Sequence, residues 1–139
     1  MSPDNFSDKQ LAELSAIVES SDDAIIGKDL DGIITSWNRG AQRLYGYTPE
    51  EAIGKHISLI APPEQADDIP NIMAMLRKGE RIDHYETLRV TKDGKILNIS
   101  LTISPIRNSR GELVGASAIG RNVTETRRAE AALRLSERL

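Results

Sequence analysis

The sequence predicts an α+β domain in which one five-stranded antiparallel sheet carries short helices over one face and is flanked by N-terminal and C-terminal amphipathic helices. The clearest observation lies in residues 96–104, where apolar and small polar residues alternate with the period of a strand that has one dry face. Its apolar positions are Leu97, Ile99, Leu101 and Ile103. Turn-forming residues on both sides, Asp93-Gly94 and Ser109-Arg110-Gly111, predict a three-stranded meander over residues 81–124.

Length and composition set the class of protein. A chain of 139 residues is the size of one domain with a single core. It has no cysteine, which excludes disulfides, thiol nucleophiles and thiolate metal sites and is typical of a reducing cytoplasmic location. A net charge of −3 gives no basic footprint for nucleic acid, and neither a signal peptide nor an apolar run of membrane-spanning length is present. We therefore expect a cytoplasmic protein with no nucleic-acid partner and no membrane span.

The N-terminal segment, residues 1–21, is predicted to be an amphipathic helix. Ser7 and Gln10 have the spacing of a capping box, in which each side chain bonds the other residue's backbone N–H. An apolar stripe follows, formed by Leu11, Leu14, Ile17 and Val18. Such a stripe must dock on the sheet or on a second copy of the chain, and we expect it to form the interface of a homodimer.

Two short strands come next, over residues 24–28 and 33–37, and Asp31-Gly32 supplies the hairpin signal between them. A second helical region then separates these strands from the meander. Because the helices lie between two strands and three strands in the chain, the compact arrangement is one sheet with the helices packed over one face.

The middle region is predicted to consist of several short helices. Asn38 can cap a helix through Leu44 that Gly46 closes in the left-handed conformation, and Thr48-Pro49-Glu50-Glu51 is a strong start for a second helix. A longer helix ends before Gly79, and its apolar stripe is Ile69, Ile72, Met73 and Leu76. Its start is left open, since Pro70 fits the first turn if Asp68 caps the helix and would otherwise kink it.

The last segment, residues 124–139, lacks glycine and proline and is rich in Ala, Glu, Arg and Leu, so it is predicted to be helical. Two coiled-coil registers are possible for its contact residues, one with Ala129, Leu133 and Ser136 and one with Ala132, Leu135 and Leu139. We interpret it as the start of a coiled-coil linker that follows a core of residues 22–123 in a larger protein.

The order of these elements, and the residues that punctuate it, resemble the PAS domain family over roughly residues 15–128. The matching residues are Ile33-Ile34-Thr35-Ser36-Trp37-Asn38, Ala41, Leu44, Tyr45-Gly46-Tyr47, Glu50-Glu51, Ile53-Gly54-Lys55, Gly79-Glu80, Glu86-Thr87, Arg89, Lys92-Asp93-Gly94 and Arg121-Asn122-Val123-Thr124-Glu125. One departure is visible, because the family usually has aspartate where this chain has Asn122. An amide can still accept a hydrogen bond there, although it cannot form a salt bridge.

The resemblance implies a sensory and dimerising module of histidine kinases, cyclic-dinucleotide enzymes or transcription regulators, which passes a change at the sheet into the exit helix. Ligands of the family lie between the inner face of the sheet and the long helix. The candidate pocket residues are Trp37, Ile69, Ile72, Met73, Leu76, Leu88, Leu97, Ile99 and Leu101. The candidate relay residues are Arg121, Asn122, Val123, Thr124 and Glu125. A kinase-type output domain is the expected partner.

The residue types limit the cofactors that this pocket could take. The long helix has no histidine, which argues against haem, and the lack of cysteine excludes the flavin adduct of light-oxygen-voltage domains. Non-covalent FAD stays open because Trp37 could stack on its ring system. No motif for a metal site or for catalysis is found, and we expect no titratable group in the cleft.

Two alternatives remain open at the level of sequence. The apolar cleft could be a plain core in a ligand-free interaction and dimerisation scaffold, or a site for a small molecule. The strand over residues 113–123 is rich in small residues, and we interpret these as a place where the N-terminal helix, or its copy in a second subunit, approaches the outer face of the sheet.

Overall fold

The computed structural model of the chain describes residues 7–63 and 68–138. Its helices are α1 (Asp8–Ser20), α2 (Arg39–Tyr45), α3 (Pro49–Ala52), a 3₁₀ helix (Ile57–Ile60), α4 (Asp68–Arg77) and α5 (Thr124–Arg138). Its strands are β1 (Ala24–Asp29), β2 (Ile34–Trp37), β3 (Ile82–Val90), β4 (Ile96–Arg107) and β5 (Leu113–Asn122). The predicted α+β class with five antiparallel strands is confirmed.

The sheet has the order β2-β1-β5-β4-β3, and every neighbouring pair is antiparallel. The last strand in the chain is therefore the central one, paired with β1 on one side and β4 on the other. Pairs such as Ile26 with Ala118 and Ala118 with Ile103 place apolar side chains on one inner face, which the helices between β2 and β3 cover.

Local sequence signals fix most helix ends. Ser7 and Gln10 form the predicted capping box of α1, and Thr48 and Glu51 form that of α3. Asn38 caps α2, and Gly46 ends that helix at a φ of 85°, a conformation that glycine adopts without steric cost. Pro70 lies in the first turn of α4, where its missing N–H costs no helical hydrogen bond.

A bulge in β3 changes which of its residues face the core. Ile82 pairs with Ile103, but the next pair is Tyr85 with Leu101, so two residues of β3, Asp83 and His84, oppose one residue of β4, Thr102. Within this bulge His84 has a φ of 51°, which is rare for a residue other than glycine. After the bulge, the side chains of Thr87 and Arg89 point towards the core, in place of those of the adjacent residues on the strand.

Two predictions about faces of the sheet are wrong. Leu88 is on the outer face with its partner Asn98, because the bulge shifts the alternation by one residue. Ala116, Ala118 and Gly120 of β5 are buried on the inner face, so they leave room for the covering helices and not for an element on the outer face.

Helix α1 does not cover the sheet. It lies beside α2, where the Asn38 side-chain amide donates to the carbonyl oxygen of Val18 at 2.8 Å. Leu11, Leu14 and Ile17 are exposed, with Ile17 at 65%, and Val18 is half-buried. Among the described helices, none has the length and apolar content that crossing a membrane requires.

Candidate functional site

A small internal cavity lies between the inner face of the sheet and the covering helices. The space open to the centre of a water molecule is about 20 Å³, which is enough for about one water. The wall is formed by Ala24, Ile26, Lys28, Tyr45, Ile57, Ile60, Ile69, Ile72, Arg89, Leu101, Ile103, Ala118 and Gly120. The cavity lies where the resemblance to the PAS family places a ligand.

The small residues of β5 make this space. Ala118 and Gly120 occupy the centre of the sheet, and a β-carbon on Gly120 would lie 3.6 Å from the hydroxyl oxygen of Tyr45. The α2 helix can therefore bring the tyrosine ring down towards the strand, while the hydroxyl group stays at the cavity wall.

Three of the wall residues carry polar or charged groups, which corrects the expectation that the cleft has no titratable group. Lys28 and Arg89 are only 4% and 3% exposed, and Tyr45 is 1% exposed. Burial raises the pKa of the Tyr45 hydroxyl well above its ordinary value, and the nearby Arg89 guanidinium offsets part of that rise. The hydroxyl is therefore protonated at neutral pH and can donate a hydrogen bond.

Arg89 is held in place by groups on its own strand. Its Nη1 donates to the carbonyl oxygen of Leu88 at 2.9 Å and to Oγ1 of Thr87 at 3.3 Å. Lys28 and Arg89 also make further polar interactions in the protein. Period-2 alternation from Ala24 and Ile26 was the sequence signal that could have placed Lys28 on the inner face.

The predicted pocket residues divide into three groups. Ile69, Ile72 and Leu101 lie on the cavity wall, as expected. Residues that are buried in the core but do not form this wall are Met73, Leu76, Leu97 and Ile99. Leu88 is on the other face of the sheet, as described above.

Trp37 is also absent from the cavity wall. Its ring packs against Tyr45, with ring centroids 5.7 Å apart, and its indole N–H donates to the carbonyl oxygen of Tyr47 at 2.9 Å. The side chain thus joins β2 to α2 and to the loop after it. The expectation that Trp37 could stack on the ring system of a flavin stays a prediction.

The predicted relay segment forms a hydrogen-bonded junction between β5 and α5. Oδ1 of Asn122 accepts from the backbone N–H of Thr124 at 3.0 Å and from its hydroxyl at 2.5 Å. The same hydroxyl oxygen accepts from the Asn98 backbone N–H at 2.9 Å, and Val123 N–H donates to the Asn98 carbonyl at 2.8 Å. Asn122 therefore supplies the acceptor that an aspartate would supply, and the first residue of α5 is hydrogen-bonded to β4.

The other relay candidates are more exposed, and one contact was missed. Arg121 lies 3.7 Å from a carboxylate oxygen of Asp23, and Glu125 lies exposed in the first turn of α5. Arg127 forms an ion pair with Glu86 of β3. The pairing of residues 41 positions apart has no local sequence signal.

Other chemistry has little support in the described part of the chain. Within residues 7–63 and 68–138, no three His, Asp or Glu side chains cluster in a way that could hold a metal ion. His84 is exposed on β3, and His56 caps the 3₁₀ helix by accepting from the Ser58 backbone N–H at 3.1 Å.

Comparison with known proteins agrees with this architecture. A family model described as PAS domain matches residues 22–125. Two-component system protein A of Emericella nidulans is 37% identical over 115 residues, which are 81% of this chain and 16% of that protein. The signal transduction histidine-protein kinase AtoS of Escherichia coli is 26% identical over 125 residues, which are 88% of this chain and 20% of that protein. The chain thus spans a fifth or less of these relatives.

Solved structures share the fold. The crystal structure of a PAS domain from Colwellia psychrerythraea is 32% identical, with a TM-score of 0.76, and the match covers 84% of this chain and 98% of that one. A light-oxygen-voltage domain studied with a flavin analogue has a TM-score of 0.70 at 22% identity, over 94% of this chain and 96% of that one. The sheet order, the central cavity, the junction at Thr124 and these matches lead to one conclusion: the chain belongs to the PAS domain family.

Proposed function

We propose that this chain is a sensory and dimerising module that relays a change at its inner cavity to an output domain, as in two-component signal transduction. The observation that carries the proposal is the continuity of β5. Ala118 and Gly120 form part of the cavity wall, and two residues further on Asn122 holds the first residue of α5. Two residues of a strand span only about 7 Å.

This geometry gives a mechanism. A guest in the cavity, or repacking around it, displaces the inner face of β5 and with it the Asn122 side chain. Thr124 bonds both Asn122 and Asn98, so a shift between β5 and β4 changes the direction in which α5 leaves the sheet. The protein then has two arrangements of α5, and a signal alters their populations.

The test of the relay uses a fusion in which α5 continues in helical register into the dimerisation helix of a histidine kinase. We expect Asn122→Ala and Thr124→Val each to change autophosphorylation, while Thr126→Val on the exposed side of α5 matches the parent fusion. Circular dichroism establishes that all three variants are folded. If both junction variants have the activity of the parent fusion, the relay assignment is wrong.

Dimerisation is the second part of the proposal. Besides the apolar stripe on α1, the side chains of Leu133 and Leu135 on α5 are also exposed. We expect the native mass of the chain to be that of a dimer, and Ile17→Glu to shift it towards the monomer, while Lys9→Glu on an exposed, polar part of α1 leaves it unchanged. A monomer at micromolar concentration in the unsubstituted chain contradicts this part.

The size of the cavity favours a second candidate function, a ligand-free interaction and dimerisation scaffold. About 20 Å³ is far below the several hundred Å³ that drug-sized ligands occupy, so non-covalent flavin would require α4 to move. The absorbance spectrum and native mass of the purified protein separate the two functions. A coloured or mass-shifted species means a bound ligand, and a colourless dimer of the chain's own mass favours the scaffold.

A further inference from the structure

We propose that the ion pair between Glu86 of β3 and Arg127 of α5 is an ionic lock, which holds α5 against the outer face of the sheet and frees the helix to change direction when it opens. This inference rests on the proposed function, since it names a contact that regulates the position of the relay helix. Three observations carry it: the place of the contact, the groups that share Arg127, and the link that β3 makes between the contact and the cavity.

The first observation is the place of the contact. Glu86 pairs with Ser100, and both residues lie on the face of the sheet that is turned away from the cavity. Arg127 comes about one helical turn after Thr124, whose hydroxyl oxygen accepts from the Asn98 backbone N–H of β4. The first turn of α5 is therefore fixed at two points, one on β4 and one on β3. The point on β4 attaches the helix, and the point on β3 sets its direction.

The second observation is the sharing of Arg127. Its Nη2 donates to the Glu86 carboxylate, and its Nη1 donates to the Glu130 carboxylate of α5 at 2.5 Å. A carboxylate oxygen of Glu130 also lies 3.9 Å from the Arg134 guanidinium. These spacings of three and four residues place the three side chains along one side of the helix. When Glu86 is released, Arg127 keeps an ionic partner within α5, so the helix stays formed while it moves.

The lock is weak enough to be reversible. Both of its side chains are 42% exposed, so water and salt screen the charges. An exposed ion pair changes a two-state equilibrium by about 1.5-fold to 5-fold. The hydrogen bonds of Thr124 to Asn122 and Asn98 are partly buried and less accessible to solvent. The lock therefore opens while the junction still attaches α5 to the sheet.

The third observation is that β3 carries both the lock and part of the cavity wall. Arg89 lies on that wall, three residues after Glu86, and its Nη1 donates to Oγ1 of Thr87 at 3.3 Å. Because successive residues of a strand face opposite sides of the sheet, a shift of β3 that accompanies a change at the cavity also moves Glu86 relative to α5. The cavity thus acts on α5 through β3 as well as through β5.

The test is a distance measurement between two spin labels on the whole chain. The chain has no cysteine, so Arg110→Cys in the β4–β5 hairpin and Ser136→Cys on α5 supply the two label sites. Dilution with unlabelled chain restricts the measured distances to one protomer. We expect two distance populations, and we expect Glu86→Gln to raise the ratio of the released to the docked population by about 1.5-fold to 5-fold. Asp83→Asn is the matched control, since Asp83 is exposed on the same strand but pairs with Arg81 at 2.9 Å.

Salt tests the lock without a substitution in it. Raising the salt from about 0.05 M to about 0.5 M should increase the released population of the labelled parent, because screening weakens an exposed pair, and should leave that of Glu86→Gln unchanged. Glu86→Gln combined with Arg127→Gln should have no larger effect than the stronger of the two single substitutions, since one contact can be broken only once.

The outcomes separate the lock from the relay. Equal distance distributions in the parent, Glu86→Gln and Asp83→Asn, a parent distribution that does not respond to salt, or additive effects of the two lock substitutions would each overturn the lock. In the kinase fusion, Glu86→Gln should change autophosphorylation and Asp83→Asn should not. If the lock is overturned while Asn122→Ala and Thr124→Val still change the output, the relay stands without it. If Glu86→Gln moves α5 but none of these variants changes the output, the lock stands and the relay is wrong.

Discussion

The hydroxyl of Thr124 offers the sharpest test of how α5 is attached to the sheet. Thr124→Val keeps the shape of the side chain and removes only the atom that joins β4, β5 and α5. The hydroxyl donates to Oδ1 of Asn122 at 2.5 Å and accepts from the Asn98 backbone N–H at 2.9 Å. The substitution therefore removes two hydrogen bonds and leaves one half-buried backbone donor without its acceptor.

The expected loss follows from these two bonds. A typical hydrogen bond contributes about 1 kcal/mol net, and a buried donor left unsatisfied costs about 1–3 kcal/mol, so Thr124→Val should lower the free energy of unfolding by about 2–3 kcal/mol. At about 2.1 cal/mol/K per residue, a chain of 139 residues has an unfolding entropy of about 0.3 kcal/mol/K. The corresponding fall in Tm is about 7–10 °C.

Urea unfolding measures the free energy, and hydrogen exchange locates its origin. In the variant, the amide of Asn98 should exchange faster, because its acceptor is gone, while amides in the β1–β2 pair change only with global stability. Thr126→Val is the control, since this exposed threonine is two residues further along the same helix. If the two variants differ in unfolding free energy by less than about 0.5 kcal/mol, the junction does not hold α5 as argued.

Two further predictions concern parts of the fold away from the junction. The pKa of the Glu51 carboxyl is lowered, mainly by a hydrogen bond from the Lys92 ammonium group and secondly by one from the Thr48 backbone N–H. The stability that the ionised Glu51 adds is therefore present above the ordinary carboxyl pKa and is lost as pH falls through the lowered value. Glu51→Gln, which can still accept from Thr48, should therefore be less stable than the parent near neutral pH and equal to it in acid; a constant difference at all pH values by urea unfolding contradicts the charge effect. Gly40→Ala should destabilise by about 1–3 kcal/mol or more, since its β-carbon would lie 2.2 Å from the Asp23 carbonyl oxygen, and an unchanged Tm would show that the close approach of α2 to this loop is wrong.

Elements with local signals could be predicted from the sequence. As helix caps, Ser7, Asn38, Thr48 and Gly46 bond backbone groups within four residues of themselves, so this role can be predicted without the rest of the fold, whereas the bond from Asn38 to Val18 cannot. The junction at Asn122 and Thr124 was singled out through the resemblance to the PAS family; the structure shows its hydrogen bonds, and its role as a signal relay stays a prediction.

Strand register is nonlocal and could not be predicted in the same way. Ala118 pairs with Ile26, more than ninety residues earlier in the chain, and this pairing decides that the small residues of β5 face inward. Their composition alone is equally compatible with either face, since a shift of one residue exchanges the two faces of a strand. The cavity exists because the register places Gly120 under Tyr45, and no short stretch of sequence contains that fact.

The bulge at His84 shows how one local irregularity changes the chemistry of the site. Without it, strict alternation from the inward-facing Ile82 would bring Leu88 to the core and turn Arg89 outward, which is the arrangement that hydrophobicity favours. Because two residues of β3 oppose one of β4 at the bulge, Arg89 instead pairs with Leu97 on the inner face and reaches the cavity. The backbone conformation of His84, at a φ of 51°, is thus the structural reason why the guanidinium group of Arg89, and not the side chain of Leu88, is turned towards the core.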